Sequence, residues 1–254
     1  MSKKIGTCKH CLRENIPLQK KSHIISKFLF QEILAEPGSE GRVVKVDPKT
    51  LDKKGKAQDA PYEKYIYCVE CENTWSAIET EASKILYHYD YDPNKITKTS
   101  GEISDHFYYQ EADILVFKKF LLLNLLRAHY SSHYICATVS LGMYKDIFRR
   151  ILLEEISLDK SNCSFHIFNF RQHIPYKFRR FATHFNKIKL HQRNGYSIYI
   201  DGIGYYYHFG EHINPLLDAT NIDNPNGLAV NVLNKQASRI AIQSIFQIEY
   251  NIIH

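Results

Sequence analysis

No stretch of this 254-residue chain stays apolar for long. The longest apolar run, FLLLNLL at 120–126, is bracketed by Lys118, Lys119 and Arg127. It falls far short of the roughly 20 residues that a membrane-spanning helix needs. The N-terminal MSKKIGTCKHC lacks the apolar core of a signal peptide, so a cytoplasmic protein is expected. Thiols stay reduced in that compartment, which excludes a disulfide framework for the six cysteines. No internal repeat is present. Acidic residues are missing from one long window: from Lys160 to Ile200 there is not one Asp or Glu.

Against those absences, 44% hydrophobic and 24% charged residues describe a globular chain, long enough for one or two domains with a sizeable core. The net charge of +6 favours a polyanionic partner mildly. Four of the cysteines form two CxxC pairs, CKHC (8–11) and CVEC (68–71). Two such turns present four thiolates to one tetrahedral ion, so Cys8, Cys11, Cys68 and Cys71 are expected to hold a structural Zn²⁺. Four protein ligands leave no open position, and any chemistry needs another site. Cys136 and Cys163 stand in apolar surroundings and read as small buried hydrophobes.

The pattern divides the chain into a unit at 1–90 and a helical plus β-rich part at 91–254. In the first, IPLQKKSHII is strand-like, SKFLFQEILA (26–35) is a short helical stretch, RVVKV (42–46) a strand, and 47–63 a polar loop. A helix is expected from about Val69 to His88. At 100° per residue its buried stripe is Trp75, Ile78, Ala82, Ile85 and Leu86, with Glu72, Ser76, Glu79 and Ser83 on a second stripe. That polar stripe is either a place to meet a metal or substrate, or a solvated face. Residues 89–109 read as a linker, 112–130 as a strongly apolar core helix, and 140–155 as another helix with Leu141, Ile147, Leu152 and Leu153 inward. FHIFNF, KIKL, YSIYI and YYYHF read as strands, separated by NG (194–195) and DG (201–202) turns. The tail from Leu228 is ambiguous between strand and helix. The fold class expected is α+β.

With CKHC, SHII (22–25) and CVECE (68–72) in that order, the chain resembles the zinc-knuckle HNH, or ββα-metal, endonucleases. The resemblance covers residues 8–80, nearest to a bacterial branch with SHII and CxxCE. It implies a zinc-stabilised ββα-metal-like unit in which His23 is the general base and Glu72 a ligand to a catalytic Mg²⁺ or Mn²⁺. Glu79 is a second candidate ligand, but seven residues place it about 10 Å along the helix from Glu72. The pattern departs from the family at Ser22, where an acidic or His ligand is usual, at Ser26, where this branch often has Pro, and in having no identifiable middle Asn. The implied function is a metal-dependent DNA endonuclease, an effector of a bacterial restriction or anti-phage system with a possible partner subunit. The alternatives are a non-cleaving zinc-dependent nucleic-acid-binding module and a structural subunit of a defence complex.

The acid-free window supplies the expected substrate platform. Arg171, Lys177, Arg179, Arg180, Lys187, Lys189 and Arg193 lie in it, interleaved with phenylalanines. Cations there would neutralise phosphates, and exposed aromatics would stack on bases. Strand alternation offers the other arrangement, aromatics to the core and cations to water.

Overall fold

The structure is a computed structural model that describes residues 4–34, 43–46, 53–57, 59–87, 94, 96–102, 104–175, 181–190, 193–210 and 220–246. Along the chain run β1 (Ile5–Gly6), β2 (Ile16–Pro17), β3 (Ser22–His23), a 3₁₀ turn (Lys27–Phe30) and α1 (Gln31–Leu34). Next come β4 (Val43–Val46), β5 (Lys53–Ala57), β6 (Tyr62–Glu63), α2 (Val69–Tyr87), β7 (Ile96–Ser100) and β8 (Ser104–Tyr109). The helices α3 (Ile114–Tyr130) and α4 (Tyr144–Leu152) precede β9 (Cys163–Asn169), β10 (Asn186–Leu190), β11 (Arg193–Ile200) and β12 (Ile203–Phe209). The chain closes with β13 (Asp223–Asn224), β14 (Gly227–Leu233) and α5 (Lys235–Phe246). The class is mixed α+β, with mostly antiparallel pairing.

Two compact units are interleaved along the sequence, where a consecutive division at residue 90 was expected. The first comprises Met1–Leu29, Ala60–Tyr91 and Ala112–Cys163; the second comprises Phe30–Asp59, Asp92–Glu111 and Ser164–His254.

The first unit is built on α3. Phe117 and every residue from Phe120 to Ala128 are buried, as a helix apolar nearly all round requires. Asp113 caps it by accepting the Val116 amide at 3.0 Å. Helix α2 packs on α3, and α3 on α4. On α2 the inward residues are Trp75, Ala82 and Ile85, with Ile78 and Leu86 half-buried, as the helical period predicts. On α4 they are Phe148, Ile151 and Leu152; Ile147 and Leu153 are only half-buried. The strands β3 and β6 pair antiparallel, Ser22 with Glu63 and His23 with Tyr62, and β6 leads within a few residues into α2.

The second unit holds a sheet of order β10-β11-β12-β9-β14-β8-β7, with β13 on β14. Only the β14–β9 pair is parallel among the pairings described. Residues 96–100 and 104–109, expected in a linker, instead form the β7–β8 hairpin on the sheet, Ile96 opposite Tyr109. Lys53–Ala57, expected in a loop, pairs with β4. Asn194 and Gly195 are not a turn either; they sit in β11 opposite Lys189 and Ile188. Glycine serves close approach there, since a Cβ would overlap the Tyr207 carbonyl oxygen. Asp201 and Gly202, with φ of 48° and 75°, do form the two-residue turn between β11 and β12. The ambiguous tail is strand β14 followed by α5, whose first turn Asn234 caps by accepting the Ala237 amide at 2.8 Å.

Candidate functional site

Everything in this subsection but the basic segment lies in the first unit. The sulfurs of Cys8, Cys11, Cys68 and Cys71 all lie within 4.8 Å of one another. Cys8 and Cys71 are 3.9 Å apart, and Cys11 and Cys68 are 3.8 Å apart. Four sulfurs at 2.3 Å from a tetrahedral zinc stand about 3.8 Å from each other, so the set is compatible with a structural Zn²⁺. Local backbone explains the clustering. The first CxxC closes on itself through the Leu12 amide to the Cys8 carbonyl at 3.0 Å, and Leu18 bridges to Cys68. Cys8 accepts the Cys68 amide at 3.4 Å. A hydrogen bond from Cys71 holds the Cys8 thiol down and pushes Cys71 up, because close sulfurs cannot all carry charge without a cation among them. Arg13 supplies a partial one: its Nε donates to Cys11 at 3.3 Å and its Nη2 to Cys68 at 3.5 Å. Thus one guanidinium touches a sulfur from each knuckle, and it pairs with Glu70 at 3.1 Å.

His23 stands on β3, half-buried. Burial first, and then the charges of Lys21, Lys27 and Arg127, lower its pKa to about 4, with Glu79 opposing. The imidazole is neutral at pH 7, the form that accepts a proton. Lys21 and Lys27 are both exposed, so two cations reach solvent beside this base. Two contacts with α3 fix the strand pair. Ser26, three residues past His23, donates its amide to Asn124 Oδ1 at 2.8 Å. Glu63 on β6 accepts from the Ser131 hydroxyl at 2.9 Å and from the Ser132 amide at 2.7 Å.

Glu72 and Glu79 do not lie on a solvated face: their side chains are 18% and 25% exposed. Arg127, 1% exposed, lies between them, with Nη2 at 3.3 Å from Glu72 Oε2 and Nη1 at 2.5 Å from Glu79 Oε1. Its guanidinium sits 4.6 Å from the centre of the Trp75 ring. The periodicity explains this: positions 72, 75 and 79 follow one line of α2, and the tryptophan is the platform between two carboxylates. The separation of about 10 Å that argued against a shared ion is closed by one guanidinium. Burial raises the Glu72 pKa, against the Arg127 charge and the Ser22 hydroxyl. Ser22 is fully buried and faces this carboxyl without closing a hydrogen bond. Ser26 Oγ donates to Glu79 Oε1 at 2.6 Å.

A catalytic Mg²⁺ or Mn²⁺ was expected on Glu72. The only oxygen left for it is Glu72 Oε1, which is buried and makes no hydrogen bond to the described residues. The same carboxylate's other oxygen already holds a full positive charge. Such an ion takes about six oxygens in octahedral array, several of them usually water, and Glu72 Oε1 is closed to solvent. Among the described residues, the four cysteines are the one group of three or more ligands brought together. The carboxylate pair fits a guanidinium and does not fit a divalent ion.

Asn124 and Arg127 escaped the sequence reading. Their signal was there: two polar residues three apart inside an otherwise apolar, buried run must each find a partner.

In the basic segment, Lys187 and Lys189 are exposed on β10, the sheet's edge strand. Arg171 is not presented: its Nε donates to the Asp201 carbonyl at 2.8 Å and its Nη2 to the Asp201 carboxylate, which ties down the β11–β12 turn. Lys177, Arg179 and Arg180 lie outside the described residues, as does the Arg193 side chain. Phe165, Phe170 and Phe185 are buried, so those rings are core and not stacking platforms. Tyr205, Tyr207 and His208 are buried too. No described helix is long and apolar enough to cross a membrane. Comparison with family models, with curated proteins and with solved structures finds no match.

Proposed function

We propose that the chain hydrolyses phosphodiester bonds in nucleic acid, DNA before RNA, as an HNH-like endonuclease whose general base is His23. One observation carries the reading: a neutral imidazole stands on a strand whose pairing partner leads straight into a helix bearing Glu72 and Glu79. Four clustered cysteines tie the turn at 8–11 to the start of that helix. His23 takes a proton from water as the water oxygen bonds to phosphorus, the P–O bond to the leaving oxygen breaks, and that oxygen is protonated from solvent. Lys21 and Lys27 neutralise the phosphate beside it, the work that preorganised cations do in phosphoryl transfer. Asn124 and Glu63 hold the strand pair in place. Lys187 and Lys189 give the second unit its own exposed cations for a nucleic-acid backbone. The four cysteines hold Zn²⁺ as a structural ion. A role as a defence effector with a partner subunit belongs to the same proposal and rests on the resemblance alone.

A second reading has its own observation. The Arg127 guanidinium satisfies both helix carboxylates, which favours a module that binds nucleic acid without cutting it. Zinc-loaded protein incubated with supercoiled plasmid and with single-stranded DNA separates the two. Nicking that disappears in His23→Ala supports hydrolysis. Salt-sensitive binding with intact DNA in every sample supports the second reading and sinks the first.

A further inference from the structure

The expected catalytic ion and the observed arginine compete for the same two carboxylates, and the arginine's position is built into the core. We infer that Arg127 is the resident cation of the Glu72–Glu79 pair and that no divalent metal binds there. The inference stands on geometry and holds whether or not the module cuts.

Three features hold the guanidinium in place. It is bonded at both ends, to Glu72 and to Glu79, so a rotamer change would break two ion pairs at once. Trp75 lies beneath it at 4.6 Å, and planar stacking on an indole face suits arginine and not a hydrated metal. It also grows from α3, whose residues 120–128 are all buried, so no movement of its backbone would carry the charge to water without dismantling the core. The charge is needed where it is. Two carboxylates on one line of α2 repel each other, and a guanidinium between them offsets that repulsion. Ser26 Oγ completes the arrangement by donating to Glu79 at 2.6 Å. A divalent ion reaching for Glu72 Oε1 would meet a fixed positive charge on the same carboxylate, and no group of three or more ligands including Glu72 is brought together among the described residues.

The test uses full-length, zinc-loaded protein and Mn²⁺ as the probe, with free Mn²⁺ read from its electron paramagnetic resonance signal. The expected result is no binding site that Glu72→Gln removes. One Mn²⁺ per chain, lost in Glu72→Gln, overturns the inference. An ion held equally by wild type and Glu72→Gln sits elsewhere and leaves Arg127 as the cation of the pair. A second measurement compares melting temperatures. Arg127→Met strands two carboxylates and lowers Tm, while Arg127→Met combined with Glu72→Gln and Glu79→Gln removes the stranded charge and recovers much of the loss. Failure of that rescue also overturns the inference. Mn²⁺-dependent cutting abolished by Glu72→Gln would defeat this inference and leave His23 as base. No cutting, with no Mn²⁺ bound at the pair, would defeat the hydrolytic reading and leave this one standing.

Discussion

The Ser26 amide donates to Asn124 Oδ1 at 2.8 Å across 98 positions of sequence, and the Ser26 hydroxyl meets the same oxygen at 3.2 Å. Asn124 Nδ2 in turn donates to the Phe120 carbonyl one helical turn back at 3.0 Å. The side chain is fully engaged inside an apolar helix, and its task is to hold the exit of the strand that carries His23. Asn124→Ala strands a buried amide and leaves the strand exit loose. We expect a loss of about 1–3 kcal/mol in urea unfolding, together with a changed His23 ring environment in NMR. An unchanged imidazole spectrum would deny the coupling.

Arg13 bridges the two cysteine knuckles from the solvent side, so it acts on the cysteine cluster, the proposed zinc site, and hardly on the core. Outer partners of metal ligands typically contribute a factor of 10 or more in affinity. Arg13→Ala should release zinc to a chromogenic chelator on the order of 10-fold faster, with little change in the melting temperature of the loaded protein. Equal release rates would make Arg13 an ordinary surface residue.

The His23 titration sets a sign for stability against pH. Its folded pKa of about 4 lies below the usual 6.5, so the unfolded chain binds the proton more readily between those values. The contribution of neutral His23 is therefore full above pH 6.5 and is lost as pH falls toward 4. Melting temperature should drop through that window, and the drop should shrink in His23→Phe. An identical slope in the variant would show that other groups drive it.

Lys21 and Lys27 are assigned to phosphate. Replacing each by Ala should reduce the slope of log affinity against log salt by about 1, because each phosphate contact releases about one counterion. A slope that stays constant while affinity falls would place them outside the phosphate path.

Gly195 gives the second unit its own test. A Cβ at this position would overlap the Tyr207 carbonyl oxygen, so Gly195→Ala must push β11 from β12. A cost of at least about 1–3 kcal/mol is expected from overpacking, read as a lowered urea midpoint. An unchanged midpoint would contradict the observed register.

Part of this was legible from residues alone. The cysteine pairs declared a common cluster by their spacing, and α2 and α3 declared themselves by apolar period and length. The buried flank of α2 was harder, since Glu72 and Glu79 look like a solvated face until Arg127, 48 residues beyond Glu79, is placed against them. Pairing at such separations leaves no local trace. The β7–β8 hairpin was hidden by polar residues: ITKTS and SDHFYY carry β-branched and aromatic side chains, but too few apolar ones to stand out from a loop. At Asn194–Gly195 the dipeptide pointed to a turn, and a close backbone approach won.

The most direct test of the account is single-turnover cleavage of supercoiled plasmid by zinc-loaded protein without added divalent metal, comparing wild type with His23→Ala. The account predicts nicking by the wild type and a loss of about 100-fold or more in the variant, the usual worth of a general base. Equal rates in the two proteins, or an intact plasmid with both, would contradict it.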